Sequence, residues 1–89
     1  MALSREFTVS NRRGIHARVA AKIVEVVEKF SSDVTLRKGD LQANARSILD
    51  ILSLACGCGT RITVEAKGPD EVMVIAALEE LFKKKFGEV

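Results

Sequence analysis

The sequence is poor in aromatic side chains and has no long apolar run. Tryptophan and tyrosine are absent, and phenylalanine occurs four times in 89 residues. Small α+β domains that bind single-stranded nucleic acid stack the bases on exposed aromatic rings, whereas these four phenylalanines fit apolar stripes. No apolar run approaches the roughly 20 residues that cross a bilayer. We therefore expect no nucleic-acid partner and no direct membrane insertion.

Metal-ligating side chains are also scarce. Histidine occurs once and cysteine twice, whereas a zinc site needs three or four ligands. Cys56 and Cys58 stand one residue apart, and that spacing would strain a disulfide between them. We expect no metal, no other cofactor and no disulfide, and we interpret Cys56-Gly57-Cys58 as part of a tight loop of small residues.

The bulk composition is typical of one soluble globular domain, which we expect to span residues 1–89. Hydrophobic residues make up 47% of the chain and charged residues 29%, with a net charge of +2. That balance is unlike a disordered chain, and the excess charge is too small for a general nucleic-acid binder. The first residues show no basic segment followed by an apolar stretch, so we expect a cytoplasmic protein without a secretion signal.

Apolar and polar residues alternate in four short segments, which predicts four half-buried strands. The alternation runs through residues 3–10, 34–37, 41–44 and 61–66. Lys38-Gly39-Asp40 lies between the second and third segments, and its glycine suits a tight turn. The two segments that flank this turn are therefore predicted to form an antiparallel hairpin.

Three segments have the periodicity of helices. Residues 17–30 and a last helix that begins at Asp70 and ends before Gly87 carry apolar stripes at steps of three and four. Asp70 is the predicted N-cap of the last helix. Lys83, Lys84 and Lys85 are placed in its last turn, where they complement the negative end of the helix.

The short second helix begins at Ser47 and ends near Leu54. Ser47 and Asp50 approximate a capping box. The spacing predicts that Leu49 does not face the core, and a short helix that is apolar around most of its girth faces either the core or a partner. The set predicted to face the core is Ile48, Ile51, Leu52 and Ala55.

The element order is therefore β-α-β-β-α-β-α. Four strands that each have one apolar face need one layer of helices to cover them. We predict an α+β fold, a two-layer open-faced β-sandwich in which three helices cover one face of a four-stranded antiparallel sheet.

The only histidine lies where the first strand gives way to the first helix. Gly14 precedes His16 by two residues and Arg18 follows it by two. A helix start offers unpaired backbone N–H groups, here from Ala17 onward, and is a seat for anions. Neutral imidazole is a nucleophile. The spacing suggests a histidine that takes up a phosphoryl group with Arg18 as counter-charge, although a lone histidine before a helix is more often a cap or a surface residue.

Two motifs carry a family resemblance. Gly14-Ile15-His16-Ala17-Arg18 followed by Val19-Ala20-Ala21 resembles the signature of the HPr family, the histidine-containing phosphocarriers of the bacterial phosphoenolpyruvate–sugar phosphotransferase system. Arg46-Ser47-Ile48 followed by Ile51-Leu52-Ser53-Leu54 resembles the regulatory serine segment of that family. The likeness extends over essentially the whole chain in length, element order and the relative places of both motifs.

The resemblance implies a phosphoryl carrier rather than a stand-alone enzyme. Enzyme I would phosphorylate Nδ1 of His16, Arg18 would assist the phosphate, and IIA domains of sugar transporters would receive the group. In many relatives the HPr kinase/phosphorylase phosphorylates the serine, here Ser47, and dampens transfer. The carrier is expected to be a monomer. Its expected docking surface on the short helix consists of Arg46, Ile48, Leu49 and Leu52.

Three departures from the family pattern and two alternatives stand beside this interpretation. Val19 occupies a position that is usually proline, Asp50 adds an acid to the docking helix, and Arg46 replaces the usual lysine before the serine. A carrier of the nitrogen-regulatory type has the same chemistry and is not separated by sequence. A regulatory HPr-like protein is the other alternative, although such relatives typically lack the histidine that this chain retains.

Overall fold

One antiparallel sheet organises the chain. The computed structural model describes residues 2–89. Its strands are β1 (Leu3–Thr8), β2 (Asp33–Lys38), β3 (Leu41–Asn44) and β4 (Arg61–Lys67). They pair antiparallel in the spatial order β1-β4-β2-β3, so β1 and β3 form the two edges. The predicted hairpin is confirmed, with Gly39 at a φ of 59° in its turn.

Three helices cover one face of this sheet: α1 (Ala17–Val27), α2 (Ile48–Ser53) and α3 (Glu71–Lys83). A short 3-10 turn, Lys85–Gly87, follows α3. The α+β open-faced sandwich and the order β-α-β-β-α-β-α are confirmed. Within residues 2–89, no helix is both long and apolar enough to span a membrane.

The core lies between the sheet and the helices. In β4, the side chains of Ile62, Val64 and Ala66 are fully buried, whereas those of Thr63 and Glu65 are half-buried on the open face. This is the predicted alternation. The buried residues that α1 and α3 contribute are Val19, Ala20, Ile23, Val27, Val74, Ile75, Leu78 and Phe82.

Helix α1 ends three residues earlier than the periodicity predicted. The N–H groups of Lys29 and Phe30 donate to the carbonyl oxygens of Val26 and Val27 at 3.1 and 3.0 Å. These bonds span three residues rather than four, so the chain tightens after Val27 and turns towards β2. Phe30 remains half-buried against the core.

Helix α2 is capped as predicted at one of the two contacts of a capping box. The Ser47 hydroxyl accepts the N–H of Asp50 at 3.2 Å. The Asp50 carboxylate does not return to Ser47 but accepts the N–H of Asn44 at 3.2 Å. Aspartate is one methylene shorter than the glutamate of a complete box, so this half of the prediction was wrong.

The predicted core-facing set of α2 was also partly wrong. Ile51 is fully buried and Leu52 half-buried, but Ile48 is 39% exposed and Ala55 is exposed. Leu49 is 79% exposed, as its leftover position in the pattern indicated. A six-residue helix presents little more than one residue per face to the core, and within α2 only Ile51 is fully buried.

Asp70 occupies the N-cap position of α3, but its side chain makes no capping bond there. Its carboxylate instead accepts the N–H groups of Ser31 and Ser32 at 2.8 and 2.9 Å, and the Ser32 hydroxyl at 2.5 Å. Asp70 therefore ties the start of α3 to the turn between α1 and β2. The Gly68 N–H, just before the helix, donates to the Glu71 carboxylate at 3.1 Å.

The three lysines at the end of α3 extend past the helix. Lys83 is its last residue, and Lys84 and Lys85 lie beyond it. One turn earlier, the carboxylates of Glu79 and Glu80 lie 3.9 and 3.8 Å from the ammonium nitrogens of Lys83 and Lys84, respectively. All three lysines are exposed, but only Lys83 lies in the helix, so the predicted place of Lys84 and Lys85 in its last turn was wrong.

The Asp70 network predicts a pH-dependent stability. Hydrogen bonds from the Ser32 hydroxyl, and then from the Ser31 N–H, lower the pKa of Asp70. A carboxylate whose pKa is lower in the folded state stabilises the fold at pH values above its unfolded-state pKa of about 3.9. This stabilisation is lost as the pH falls through the folded-state pKa. Asp70→Asn should lower the thermal midpoint at pH 7, and the gap to the parent should narrow between pH 5 and pH 2. Asp40→Asn, in the exposed hairpin turn, is the control; a gap that stays constant with pH would contradict this account.

Candidate functional site

The histidine loop, residues 9–16, connects β1 to α1. Gly14 has a φ of 71°, and its N–H closes a turn onto the Asn11 carbonyl at 3.2 Å. His16 is the N-cap residue of α1, with extended backbone angles and no capping bond from its side chain. The imidazole therefore lies at the helix start but does not accept a hydrogen bond from the first N–H groups of the helix.

The histidine loop rests on the backbone of a second loop, the platform loop, residues 54–60. The Ile15 N–H donates to the Cys56 carbonyl at 2.8 Å. A Cβ added at Gly14 would collide with that carbonyl oxygen and would lie 2.8 Å from the Cα of Gly57. The close approach of the two backbones explains why glycine stands at position 14.

The platform loop is itself fixed at its first residues. The Lys38 ammonium donates to the carbonyl oxygens of Leu54 and Ala55, both at 2.9 Å. Cys56 is buried and Cys58 exposed, and both are free thiols. Burial raises the pKa of the Cys56 thiol, and the charge of Lys38 opposes this in part. Within residues 2–89 no cluster of three or more His, Cys, Asp or Glu side chains could hold a metal ion.

The imidazole of His16 is bound by a carboxylate from the far end of the chain. Nε2 lies 2.9 and 3.1 Å from the two carboxylate oxygens of Glu88, 72 residues away. The Asn11 amide, which is fully buried, donates to the same Glu88 at 2.8 Å and to the Gly14 carbonyl at 2.8 Å. The side chain of His16 remains 21% exposed, so the ring is reachable from solvent.

Glu88 was missed in the sequence, and no local pattern indicates it. Its contact with His16 depends on a reversal of the chain after α3, where Lys85, Phe86 and Gly87 all have positive φ. Only Gly87 of the three is a residue that favours such angles. A sequence that places lysine and phenylalanine there gives no sign of the turn.

The Glu88 contact determines which ring nitrogen is available. Hydrogen bonds from His16, and then from Asn11, lower the pKa of Glu88. An ionised carboxylate only accepts hydrogen bonds, so Nε2 carries the proton that joins the two groups. In the neutral ring, the lone pair is then on Nδ1. Within residues 2–89, Nδ1 makes no hydrogen bond.

The start of α1 has backbone N–H groups that precede the first intrahelical hydrogen bond, as the sequence indicated. The first intrahelical bond joins the N–H of Ala20 to the carbonyl of His16 at 2.9 Å, so the N–H groups of Ala17, Arg18 and Val19 precede it. Ala17 and Arg18 are exposed. Among the described residues, the guanidinium of Arg18 makes no hydrogen bond or ion pair, so it is free to meet an incoming group.

The residues expected at a docking surface differ in their exposure and in their contacts with the rest of the fold. Helix α2 presents Leu49, Ile48 and half-buried Leu52. Arg46, in contrast, is held by the structure: its guanidinium donates to the carbonyls of Phe30 and Ser32 at 2.9 and 3.0 Å. Ser47 is half-buried and caps α2.

Comparison with known proteins agrees with these features. The pattern described as the PTS HPr component phosphorylation site matches residues 3–84. The chain belongs to the HPr family. This family consists of phosphocarrier proteins of the phosphotransferase system rather than stand-alone enzymes.

Individual relatives support the assignment over nearly the whole length. The phosphocarrier protein HPr of Treponema pallidum is 42% identical over 80 residues, which are 90% of this chain and 91% of the relative. The phosphocarrier protein NPr of Shewanella violacea is 36% identical and covers 97% of this chain and 94% of its own. The crystal structure of HPr-C-His from Thermoanaerobacter tengcongensis superposes with a TM-score of 0.93 at 38% identity and covers 98% of both chains.

The seat of the histidine loop can be tested at Gly14. In Gly14→Ala, an alanine must adopt the left-handed backbone angles of this position, which costs about 1–2 kcal/mol. Its Cβ also collides with the Cys56 carbonyl. We therefore expect the free energy of unfolding, measured with urea, to fall by about 2–4 kcal/mol. Gly39→Ala has a similar φ but open space around its Cβ, and should lose only about 1–2 kcal/mol. Equal losses in the two variants would show that the backbone contact with the platform loop contributes nothing.

Proposed function

We propose that the chain takes a phosphoryl group from phosphorylated enzyme I onto Nδ1 of His16 and passes it to IIA components of sugar transporters. The observation that carries this proposal is the contact between Nε2 and Glu88, which leaves Nδ1 as the free nucleophile at the start of α1. The membership of the HPr family supports the same role.

The site contributes positioning rather than strong binding. A helix start stabilises an adjacent anion by about 0.3–1 kcal/mol, and a charged hydrogen bond from Arg18 would add about 1.5–3 kcal/mol. These contributions orient a phosphoryl group without trapping it, as a carrier requires. Neutral Nδ1 attacks without losing a proton, so the carrier needs no general base of its own.

We propose that partners dock on the apolar surface of α2 beside the histidine. Leu49 is 79% exposed and Ile48 39%, and α2 packs directly against α1. The exposed Arg12, Arg13 and Arg18 stand on or next to the histidine loop. A partner that fits this face has an apolar centre and an acidic rim. Arg46 is assigned to this surface only in part, because its guanidinium also ties α2 to the end of α1.

We also propose Ser47 as a regulatory phosphorylation site, with an HPr kinase/phosphorylase as the enzyme that would act on it. The hydroxyl lies next to Ile48 and Leu49, so a phosphoryl group there places about −1.5 to −2 charges beside the docking surface. The acidic rim proposed for the partners would be repelled. Asp50 already contributes one negative charge to this helix.

The proposed carrier is a cytoplasmic monomer that serves the sugar branch of the system. A carrier of the nitrogen-regulatory branch is the second candidate, supported by the 36% identity to an NPr protein. Because both branches use the same chemistry, the choice of phosphoryl donor and acceptor separates them. The branch is identified by which of the two purified donor enzymes phosphorylates the protein faster.

Phosphoryl transfer to His16 is tested by incubation with phosphoenolpyruvate and enzyme I, followed by intact mass. We expect one acid-labile phosphoryl group on the parent protein and none on His16→Ala. Ser47→Ala, which keeps the histidine, should still be modified once. A phosphoryl group of unchanged stoichiometry on His16→Ala would contradict the assignment.

Docking is tested with matched substitutions on two helices. Leu49→Glu adds an acid to the proposed contact surface and should slow transfer from enzyme I about tenfold or more, mainly by raising KM. Val72→Glu is the control, since Val72 is a similarly exposed residue (67%) at the start of α3. Ser47→Asp retains an N-cap acceptor and should slow transfer while the thermal midpoint changes little. Equal effects of Leu49→Glu and Val72→Glu would exclude this surface.

A further inference from the structure

The C-terminal turn, residues 84–89, holds Glu88 in place from both sides. Before Glu88, the buried ring of Phe86 packs against Phe82 with ring centroids 4.8 Å apart, and the Lys22 ammonium donates to the Phe86 carbonyl at 2.5 Å. After it, the Arg12 N–H donates to the Val89 carbonyl at 2.7 Å. The backbone on both sides of Glu88 is thus held by contacts that do not involve the imidazole.

The second anchor of the carboxylate is the buried amide of Asn11. Its Nδ2 donates both to Glu88 and to the Gly14 carbonyl of the histidine loop. Asn11 therefore sets the position of Glu88 relative to the loop that carries His16. The match to the family pattern ends at residue 84, so Glu88 lies outside the matched region.

We propose that Glu88 is a positioning residue that keeps a proton on Nε2 of His16 both before and after Nδ1 accepts the phosphoryl group. The inference deepens the proposed phosphocarrier function and rests on it. Before transfer, the contact keeps the lone pair on Nδ1. After transfer, it balances the charge that the reaction leaves on the ring.

Phosphoryl transfer to Nδ1 changes the charge of the imidazole ring. The Nδ1 lone pair forms the new P–N bond, while the bond between phosphorus and the donor breaks and its electron pair stays with the donor. The ring then carries a substituent on Nδ1 and a hydrogen on Nε2, and is positively charged. When the phosphoryl group moves on, the electrons of the P–N bond return to Nδ1 and a neutral imidazole leaves.

Loss of the Nε2 proton would change the leaving group. A deprotonated phosphorylated ring would have to depart as an imidazolate anion, which is a far poorer leaving group than neutral imidazole. A carboxylate hydrogen-bonded to an imidazole N–H orients the ring and stabilises its protonated form. Glu88 therefore keeps the phosphoryl group in its transferable form over a wider pH range.

The other titratable groups on the neighbouring elements are mainly cations. The histidine loop carries Arg12 and Arg13, and the C-terminal turn carries Lys84 and Lys85; α1 carries Arg18, Lys22 and the acid Glu25, and the platform loop carries only the thiols of Cys56 and Cys58. Among the described residues, Glu88 is the only carboxylate within 4.0 Å of a nitrogen of the imidazole. The proposed retention of the Nε2 proton therefore depends on this residue.

The experiment compares the parent with Glu88→Gln, Glu88→Ala and the control Glu80→Gln, an exposed acid of α3 next to Lys84. Each protein is phosphorylated with phosphoenolpyruvate and enzyme I and freed of donor. The loss of the phosphoryl group is then followed by intact mass between pH 5 and pH 9. The hydrolysis rate is expected to fall as the pH rises. We expect the midpoint of this fall to lie roughly one pH unit lower in both Glu88 variants than in the parent. The midpoint of Glu80→Gln should be unchanged. Above the lowered midpoint, the Glu88 variants should keep their phosphoryl group several-fold longer. Profiles identical to the parent would overturn the proposal.

A second measurement separates this inference from the proposed function. In the unphosphorylated proteins, ¹⁵N shifts of the imidazole report which nitrogen bears the proton. Glu88→Ala should reduce the share of the Nε2–H form, and Glu88→Gln, which retains an acceptor, should reduce it less. Unchanged shifts would refute the Glu88 role even if His16 is phosphorylated. If the parent accepts no phosphoryl group, the proposed function fails whatever the shifts show.

Discussion

The site depends on the backbone contact between the histidine loop and the platform loop. The Ile15 N–H meets the Cys56 carbonyl, and Gly14 lies so close to Gly57 that a side chain at position 14 would not fit. This contact fixes where the chain enters α1, and hence where the imidazole stands. The predicted Cys-Gly-Cys loop thus has a structural explanation that requires neither metal nor disulfide.

Glu88, from the far end of the chain, adds two further tethers to the same loop. Asn11 joins it to Glu88, and Glu88 binds the imidazole. Among residues 2–89, the hydrogen bonds distinguish these atoms: Nε2 is held by Glu88, whereas Nδ1 and the first-turn N–H groups of α1 have no hydrogen-bond partner. A carrier must accept a phosphoryl group and release it again, and these modest, separate contacts suit that requirement better than an enclosed phosphate pocket would.

Much of the fold could be predicted from local patterns, because each strand and helix has one apolar face. The alternation in β4 and the stripes of α1 and α3 identify the core face directly. His16, Ala17 and Arg18 could be identified for the same local reason, since loop and helix start are adjacent in sequence. Their phosphocarrier roles, and those of Ser47 and the α2 surface, remain proposals.

The remaining features depend on contacts between distant residues or on unusual backbone angles. Asp70 looks like a helix cap, but it binds Ser31 and Ser32, which the sheet brings next to it. Ile48 has helical spacing for the core, yet so short a helix buries only Ile51. Glu88 reaches His16 through a turn in which Lys85 and Phe86 adopt left-handed angles. No periodicity or capping rule indicates such contacts.

The central claim is that the phosphoryl group resides on one nitrogen of one ring. Phosphorylation of ¹⁵N-histidine-labelled protein with phosphoenolpyruvate and enzyme I, observed by ³¹P–¹⁵N NMR, tests it directly, because the chain contains a single histidine. The account predicts a phosphorus coupled to Nδ1, with Nε2 still bearing its proton at neutral pH. A phosphorus coupled to Nε2, or one coupled to no histidine nitrogen, would contradict it.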